Sequence, residues 1–190
     1  MKKLFLLIFL LIYSNSHASE FKLEKIFDNL NKPWSLSFVN KENIILTEKA
    51  GRLFLLNLQS KNIAEIQHNL SLINLGQGGL LDVLYKDQQI YISYSENRGN
   101  WKTSTSVAKG LFNKKSIKFR NIFRAEPPIE SGYHFGSRLV IKDNNLFITA
   151  GERGKGMIAQ DPSKHPGSII RINLDGSIPK NNPKFKNRDE

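Results

Sequence analysis

The sequence contains no cysteine, and this absence removes several classes of chemistry. Disulfide bonds, thiol nucleophiles and cysteine-ligated metal sites are all excluded, so packing and hydrogen bonding alone must hold the fold together. Motifs for phosphate cradles (Gly-x-x-x-x-Gly-Lys-Ser/Thr), zinc sites (His-Glu-x-x-His) and nucleophilic serines (Gly-x-Ser-x-Gly) are also missing. The sequence therefore gives no support to the enzyme classes that depend on them.

Long apolar runs are scarce, and the one present lies at the start of the chain. Lys2 and Lys3 precede an apolar run over residues 4–13, and small and polar residues follow as far as Ala18. This order is typical of a secretory signal peptide. The run is about 10 residues long, whereas a membrane-spanning helix needs about 20. We therefore predict a signal peptide over residues 1–18, a mature chain over 19–190 without stable membrane insertion, and a periplasmic or secreted location.

Acidic residues are outnumbered, with 17 Asp and Glu against 28 Lys and Arg, and the formal net charge is +11. Such an excess can indicate an anionic partner such as nucleic acid. The basic residues are scattered, however, and in the densest stretch, residues 109–124, they alternate with apolar residues. Alternation favours a hairpin with one solvated face. Together with export, this argues against a nucleic-acid partner.

A sustained helical period is missing beyond the signal peptide, and short strand patterns recur instead. Residues 51–58 and 167–174 share one pattern: glycine, any residue, two apolar residues, any residue, an apolar residue, Asn and Leu. A second unit, two apolar strands around a polar turn, ends in a hydroxyl residue at Thr47, Ser93 and Thr149. These residues are about 50 positions apart, which is typical of β-propeller blades. The sequence predicts an all-β protein with about three blades.

Three blades do not close a propeller, because rings of four to eight blades are typical. After Leu174 the sequence continues in residues typical of polar loops, with no closing strand before Glu190. We therefore expect this chain to be the truncated, N-terminal part of a propeller. The alternative is a small open sandwich, against which the need to protect strand edges argues.

One histidine stands out as a candidate reagent. His68 lies in a polar stretch and is predicted to be a surface residue, whereas His134 lies between Gly132 and Gly136 at the entrance to a predicted strand. Loops at such positions gather around the central channel of a propeller. An imidazole titrates near pH 6.5 and can accept a proton from an alcohol. His134 is therefore either a general base or a packed histidine with satisfied hydrogen bonds.

Two glycine-rich loops occupy comparable places in neighbouring repeats. Residues 75–82 carry Gln77, and residues 150–154 carry the adjacent charged pair Glu152 and Arg153. Glycines let the backbone approach a ligand closely, but they also serve tight turns that need positive φ. Both interpretations remain open for each loop.

Taken in order, these pieces resemble the glucose/sorbosone dehydrogenase family, the soluble pyrroloquinoline quinone (PQQ) dehydrogenases that include the aldose sugar dehydrogenases. The matching stretches cover nearly all of the mature chain and are LNKPWSLSF (30–38), TEKAGR (47–52), GQGGLLD (76–82), HFGSRL (134–139), GERG (151–154) and RINLDGSIP (171–179). The resemblance implies a six-bladed propeller, of which this chain would form about the first three blades.

The resemblance also implies roles for individual residues. His134 would be the general base that removes the proton of the sugar's anomeric hydroxyl while hydride passes to PQQ. Gln77 would line the substrate pocket, and Arg153 would face the carboxylates of the cofactor, where positive charge suits a tricarboxylate. The implied cofactors are PQQ and calcium, the latter without identifiable ligands here, and the electron acceptor is unknown. A propeller that only binds carbohydrate or another ligand is the alternative.

The chain departs from the family pattern in two ways. Tyr133 stands where the glucose dehydrogenase branch has an aspartate, so we expect the carboxylate that orients the base to be missing, which argues against a glucose preference. The chain also ends before the family's Gly-His-Arg-Asn-Pro-Gln-Gly stretch and the later basic residues that hold PQQ. Whether the chain is active by itself is therefore left open.

Overall fold

The computed structural model describes residues 21–184, and nearly all of its regular structure is β-strand. The predicted signal peptide over residues 1–18 and the last residues, 185–190, lie outside the described part. The strands are β1 (Pro33–Phe38), β2 (Asn43–Glu48), β3 (Leu53–Asn57), β4 (Ile63–His68), β5 (Leu80–Lys86), β6 (Gln89–Asn97), β7 (Thr103–Leu111), β8 (Ser116–Ile117), β9 (Arg120–Arg124), β10 (Gly136–Lys142), β11 (Asn145–Ala150) and β12 (Ile169–Asn173), with a short 3-10 helix at Gly156–Gln160. The all-β prediction is confirmed.

The strands form three sheets that follow one another along the chain. The first has the order β1-β2-β3-β4-β8, the second β5-β6-β7-β9 and the third β10-β11-β12. Strand β5 contacts both β1 and β10, so the first strands of the three sheets lie side by side. This is the arrangement of propeller blades, and the alternative of an open sandwich is wrong.

Blade 2 is covered on both faces, because its strands alternate between two cores. On strand β6, Ile90, Ile92 and Tyr94 point into the core shared with blade 1, and Tyr91 points into the core shared with blade 3. The buried residues of the first core are Ile45, Leu53, Ile66, Leu80, Val83, Ile90, Ile92, Tyr94, Ala108, Ile117 and Phe119. Those of the second are Tyr91, Val107, Leu139, Leu146, Ile148 and Ile172.

The basic stretch 109–124 forms a strand pair, as its alternation predicts. Strands β7 and β9 pair antiparallel, and Ile117 and Phe119 are buried while Lys118 and Arg120 are exposed. The two-residue strand β8 between them was not predicted, and it pairs in parallel with β4 of blade 1. The linker between β7 and β9 therefore ties blade 2 to blade 1.

The hydroxyl residues that mark the sequence repeat share one structural role. In each blade the first hairpin has an irregular register near its open end, and the hydroxyl accepts a backbone N–H there. The distances from hydroxyl oxygen to amide nitrogen are 3.1 Å for Thr47 and Ser35, 2.9 Å for Ser93 and Asp82, and 3.0 Å for Thr149 and Arg138. The repeated hydroxyl therefore satisfies an amide that the bulge withdraws from the ladder.

The same hydroxyls also link neighbouring blades. Thr47 Oγ1 donates to the carbonyl of Leu81 in blade 2 at 2.7 Å, and Ser93 Oγ donates to the carbonyl of Ser137 in blade 3 at 2.7 Å. Both side chains are fully buried. Since a buried hydroxyl needs a partner, each link fixes the spacing between two blades.

Asp82 connects all three blades at their inner strands. Its carboxylate accepts from Ser35 Oγ in blade 1, and from Arg138 Nη1 at 2.9 Å and Leu139 N at 2.7 Å in blade 3. The residue is buried, so these charge-assisted bonds compensate for its loss of water. These bonds therefore tie together the first strands of the three blades, next to the loop that carries His134.

Candidate active site

His134 lies in the loop directly before β10, with its side chain 53% exposed. Its Nδ1 atom is hydrogen-bonded to Oε1 of Glu152. Because an ionised carboxylate only accepts hydrogen bonds, this contact assigns the proton to Nδ1. The lone pair then lies on Nε2, which has no hydrogen-bond partner among residues 21–184. The imidazole is arranged to accept a proton at Nε2.

The Glu152 carboxylate is itself held in place. Its Oε1 atom also accepts the backbone N–H of Gly154, at 3.1 Å. The hydrogen bond from His134 is the main cause that lowers the pKa of Glu152, so the group is ionised at neutral pH. The expectation that the orienting carboxylate would be missing is wrong: Glu152 supplies it from across the hairpin, rather than from position 133.

The register of the β10–β11 hairpin brings these two residues together. Beside the turn, Lys142 pairs with Asn145, and continuing that regular register would set His134 opposite Arg153. A bulge between Gly136 and Leu139 shifts the register by one residue, so Gly136 pairs with Ala150. Extending the shifted register by two residues sets His134 opposite Glu152.

Gln77 approaches His134 from blade 2. Its side-chain Oε1 accepts the backbone N–H of His134 at 2.8 Å, and the backbone N–H of Gln77 donates to the carbonyl of Gly132 at 2.7 Å. The residue is exposed, so its side-chain NH₂ group can still donate a hydrogen bond. The structure thus brings together His134 and Gln77, while a contact between Gln77 and substrate stays a prediction.

The two glycine-rich loops press against the histidine loop. A Cβ at Gly151 would overlap the carbonyl oxygen of His134, and a Cβ at Gly76, where φ is +57°, would overlap that of Gly132. Glycine is needed at both positions because the backbones approach too closely for a side chain. The backbone that comes close is the loop that carries His134, and the positive φ of Gly76 also fits the tight-turn interpretation; approach to a ligand stays a prediction.

Arg153 follows Glu152, and its side chain runs into the protein. The residue is only 2% exposed, and its guanidinium donates to the carbonyls of Tyr133, Thr103 and Ser131 and to the hydroxyl of Thr103. Burial lowers its pKa to about 10, which leaves it protonated at neutral pH. Contact with the cofactor's carboxylates stays a prediction; in this structure the guanidinium faces backbone and hydroxyl oxygens.

His68 is half-buried rather than a plain surface residue, because its Nε2 lies 2.7 Å from the carbonyl of Gly51. Within residues 21–184, no group of three His, Asp or Glu side chains is arranged to hold a metal ion. Over the same residues, no helix is long and apolar enough to cross a bilayer.

Comparison with known proteins identifies the family of the chain. The sequence model of the glucose/sorbosone dehydrogenase family matches residues 30–190. The chain belongs to this family. The stretches with Gln77, His134 and Glu152, which the fold assembles into one site, all lie inside the matched region.

Two curated dehydrogenases are similar to the chain over most of its length. An aldose sugar dehydrogenase of Escherichia coli is 33% identical over 174 residues, which cover 86% of this chain and 47% of that protein. Quinoprotein glucose dehydrogenase B of Acinetobacter calcoaceticus is 28% identical over 212 residues, which cover 91% of this chain and 43% of that protein. The chain thus spans about half the length of the curated relatives it matches.

A solved structure gives the same picture of the fold. The apo-form crystal structure of the soluble aldose sugar dehydrogenase from Escherichia coli superposes with a TM-score of 0.81, and the match covers 86% of this chain and 50% of that one. The prediction of the N-terminal blades of a glucose/sorbosone dehydrogenase propeller is confirmed.

Proposed function

We propose that the protein carrying this chain is an exported, PQQ-dependent aldose dehydrogenase in which His134 is the general base. The observation that carries the proposal is the pair formed by His134 and Glu152. An exposed imidazole with an ionised carboxylate on Nδ1 has the tautomer that proton abstraction at Nε2 requires. A histidine that only packed at the start of a strand would not need its second nitrogen in the open.

The reaction converts the anomeric C–OH of the sugar into a carbonyl. Nε2 of His134 takes the hydroxyl proton while the C–H bond breaks, and the ring becomes an imidazolium whose charge Glu152 balances. When bound, PQQ would supply the quinone that accepts the hydride. After turnover, His134 returns its proton to solvent, which its exposed side chain contacts directly.

Gln77 is suited to orient the substrate. Its carbonyl oxygen is occupied by the His134 amide, so the side chain presents its NH₂ group to the space beside the base. A donor at that place can bind a sugar hydroxyl and align the anomeric carbon with Nε2. Tyr133, 60% exposed and edge-on to the imidazole at 6.3 Å between ring centroids, borders the same space.

The described residues fit the sugar side of the reaction better than the cofactor side. Arg153 is the cation that the resemblance assigns to the cofactor, and its guanidinium is occupied by protein oxygens. For calcium, residues 21–184 offer no group of three acidic or histidine ligands. We therefore assign PQQ to the whole protein, and derive no step through calcium.

The test uses the complete protein reconstituted with PQQ and calcium, with sugars as substrates and a redox dye as acceptor. We expect dye reduction, and His134→Ala should lower kcat by roughly 10² to 10⁴ while leaving the circular dichroism spectrum unchanged. His68→Ala is the matched control and should retain activity. Unchanged turnover in His134→Ala would remove the base assignment.

A propeller used only for binding is distinguished by a cofactor titration. A dehydrogenase should change the absorbance of PQQ on binding and bleach the quinone when sugar is added. Sugar binding without any response to PQQ would instead support the carbohydrate-binding alternative.

A further inference from the structure

Arg153 is a buried cation beneath the loop that carries His134, and its partners lie on both sides of the histidine. Nε donates to the carbonyl of Tyr133 at 2.9 Å, directly before His134. The guanidinium carbon lies 3.6 Å from the ring centroid of Phe135, directly after it. The side chain thus restrains the backbone on either side of the base.

The same guanidinium is anchored to blade 2. Nη1 donates to the carbonyl of Thr103 at 3.1 Å, and Nη2 donates to its hydroxyl at 2.6 Å and to the carbonyl of Ser131. Thr103 begins strand β7 and is itself buried. Arg153 therefore connects the histidine loop to a rigid strand of the neighbouring blade.

The histidine loop needs such restraint because its backbone is in an unfavourable conformation. His134 has a φ of +50°, in the left-handed region that non-glycine residues rarely adopt. Conformations of this kind persist only where the surrounding structure holds them. Gln77 holds the His134 amide from one side, and Arg153 holds the adjacent residues from below.

We propose that Arg153 is a positioning residue: it holds the His134 loop so that Nδ1 meets Glu152 and Nε2 faces the substrate, without itself contacting substrate or cofactor. The importance of this geometry for turnover rests on the proposed function of His134. Two consecutive residues then position His134: Glu152 orients the imidazole ring, and Arg153 fixes the backbone that carries it.

A guanidinium is required rather than any cation. Its planar fork satisfies three carbonyls and a hydroxyl at fixed angles and stacks on an aromatic face, whereas a lysine ammonium offers three donors at one point and no plane. Arg153→Lys therefore keeps the charge and removes the geometry. Thr103→Val, nearly the same shape as threonine, removes the hydroxyl that accepts from Nη2 and that itself donates to the carbonyls of Ile129 and Ser131.

The test measures the ring of His134 directly, by ¹⁵N NMR of its imidazole in labelled protein, with the resonance assigned through His134→Ala. In the wild type we expect a protonated Nδ1 and an unprotonated Nε2. In Arg153→Lys the two nitrogen shifts should move towards a tautomer mixture, with a smaller shift in the same direction in Thr103→Val. Arg171→Lys, an arginine on β12 that donates to Asn145, is the matched control and should match the wild type.

Activity and cofactor affinity give the second measurement, on the complete protein loaded with PQQ. We expect kcat of Arg153→Lys to fall by about 10- to 100-fold, because small misplacements of a reacting group cost rates of this order. KM for sugar and Kd for PQQ should stay within about threefold of the wild type. A loss confined to kcat is what positioning of the base requires.

Two results would overturn the proposal. One is a His134 spectrum in Arg153→Lys identical to the wild type, and the other is a tenfold or greater loss of PQQ affinity with an unchanged spectrum, which would indicate direct contact with the cofactor. If the complete wild-type protein shows no dehydrogenase activity, the proposed function fails, while the tautomer measurement still decides whether Arg153 positions His134.

Discussion

Nδ1 of His134 and the carboxylate of Glu152 face each other across a β-bulge, 18 positions apart in sequence. The bulge brings the two residues opposite each other, because it shifts the register of the β10–β11 hairpin by one residue just before the loops that carry them. A carboxylate on one imidazole nitrogen leaves the other as the base, so the chemistry proposed for this site depends on a local irregularity in a sheet.

Glu152→Gln should reduce turnover while preserving the fold. The amide has the shape of the carboxylate but lacks the charge that stabilises an imidazolium, and it no longer selects one imidazole tautomer. We expect kcat to fall by at least about tenfold and by up to about 10⁴-fold, with the midpoint of thermal unfolding little changed. Glu130→Gln, an exposed carboxylate in the segment before the histidine loop, is the control. Equal activity in the two variants would contradict the role given to Glu152.

The carboxyl of Glu152 should titrate below its ordinary pKa of 4.5, because the His134 hydrogen bond favours the ionised form. A lowered pKa in the folded state contributes stability above the unfolded-state pKa, and this contribution disappears as the pH falls through the folded-state value. Carbon-13 NMR of the carboxyl group measures the midpoint. In His134→Ala the midpoint should rise towards 4.5, and an unchanged midpoint would show that another group lowers it.

Gly151→Ala should displace the histidine loop. The added Cβ would overlap the His134 carbonyl, and relief requires a backbone shift that we expect to cost about 1–3 kcal/mol in the free energy of unfolding. Gly156→Ala is the matched control, since nothing lies within 4 Å of a Cβ at that position, and its effect should stay within about 0.5 kcal/mol. Urea unfolding compares the two, and similar stabilities would mean that the loops do not press together as described.

Much of the fold was predictable because it repeats. The apolar alternation of strands such as β6 records which face meets which core, and the hydroxyl at Thr47, Ser93 and Thr149 marks the same bulge in three blades. These signals are local, so the sequence displays them directly. The parallel pairing of β8 with β4 was not predictable, since a two-residue strand carries no periodicity and its partner lies in another blade.

The site was predictable in its members but not in its pairings. Glycines on either side of His134 indicated a special loop, and the resemblance supplied Gln77. Glu152 was visible only as half of a charged pair, because the turn of the hairpin and an even register point to Arg153 as the neighbour of His134. The signal that could have identified it was the hydroxyl repeat, which marks where each inner hairpin departs from regular pairing.

The sequence by itself determined that this chain makes repeated β-blades, and that one histidine stands outside the repeat at the entrance to a strand. Only the tertiary structure decided what surrounds that histidine. Period-2 alternation specifies which face of a strand a residue occupies, but a single-residue bulge shifts the cross-strand partners beyond it by one residue. For that reason Glu152 lies against the imidazole, and Arg153 is buried beneath the loop.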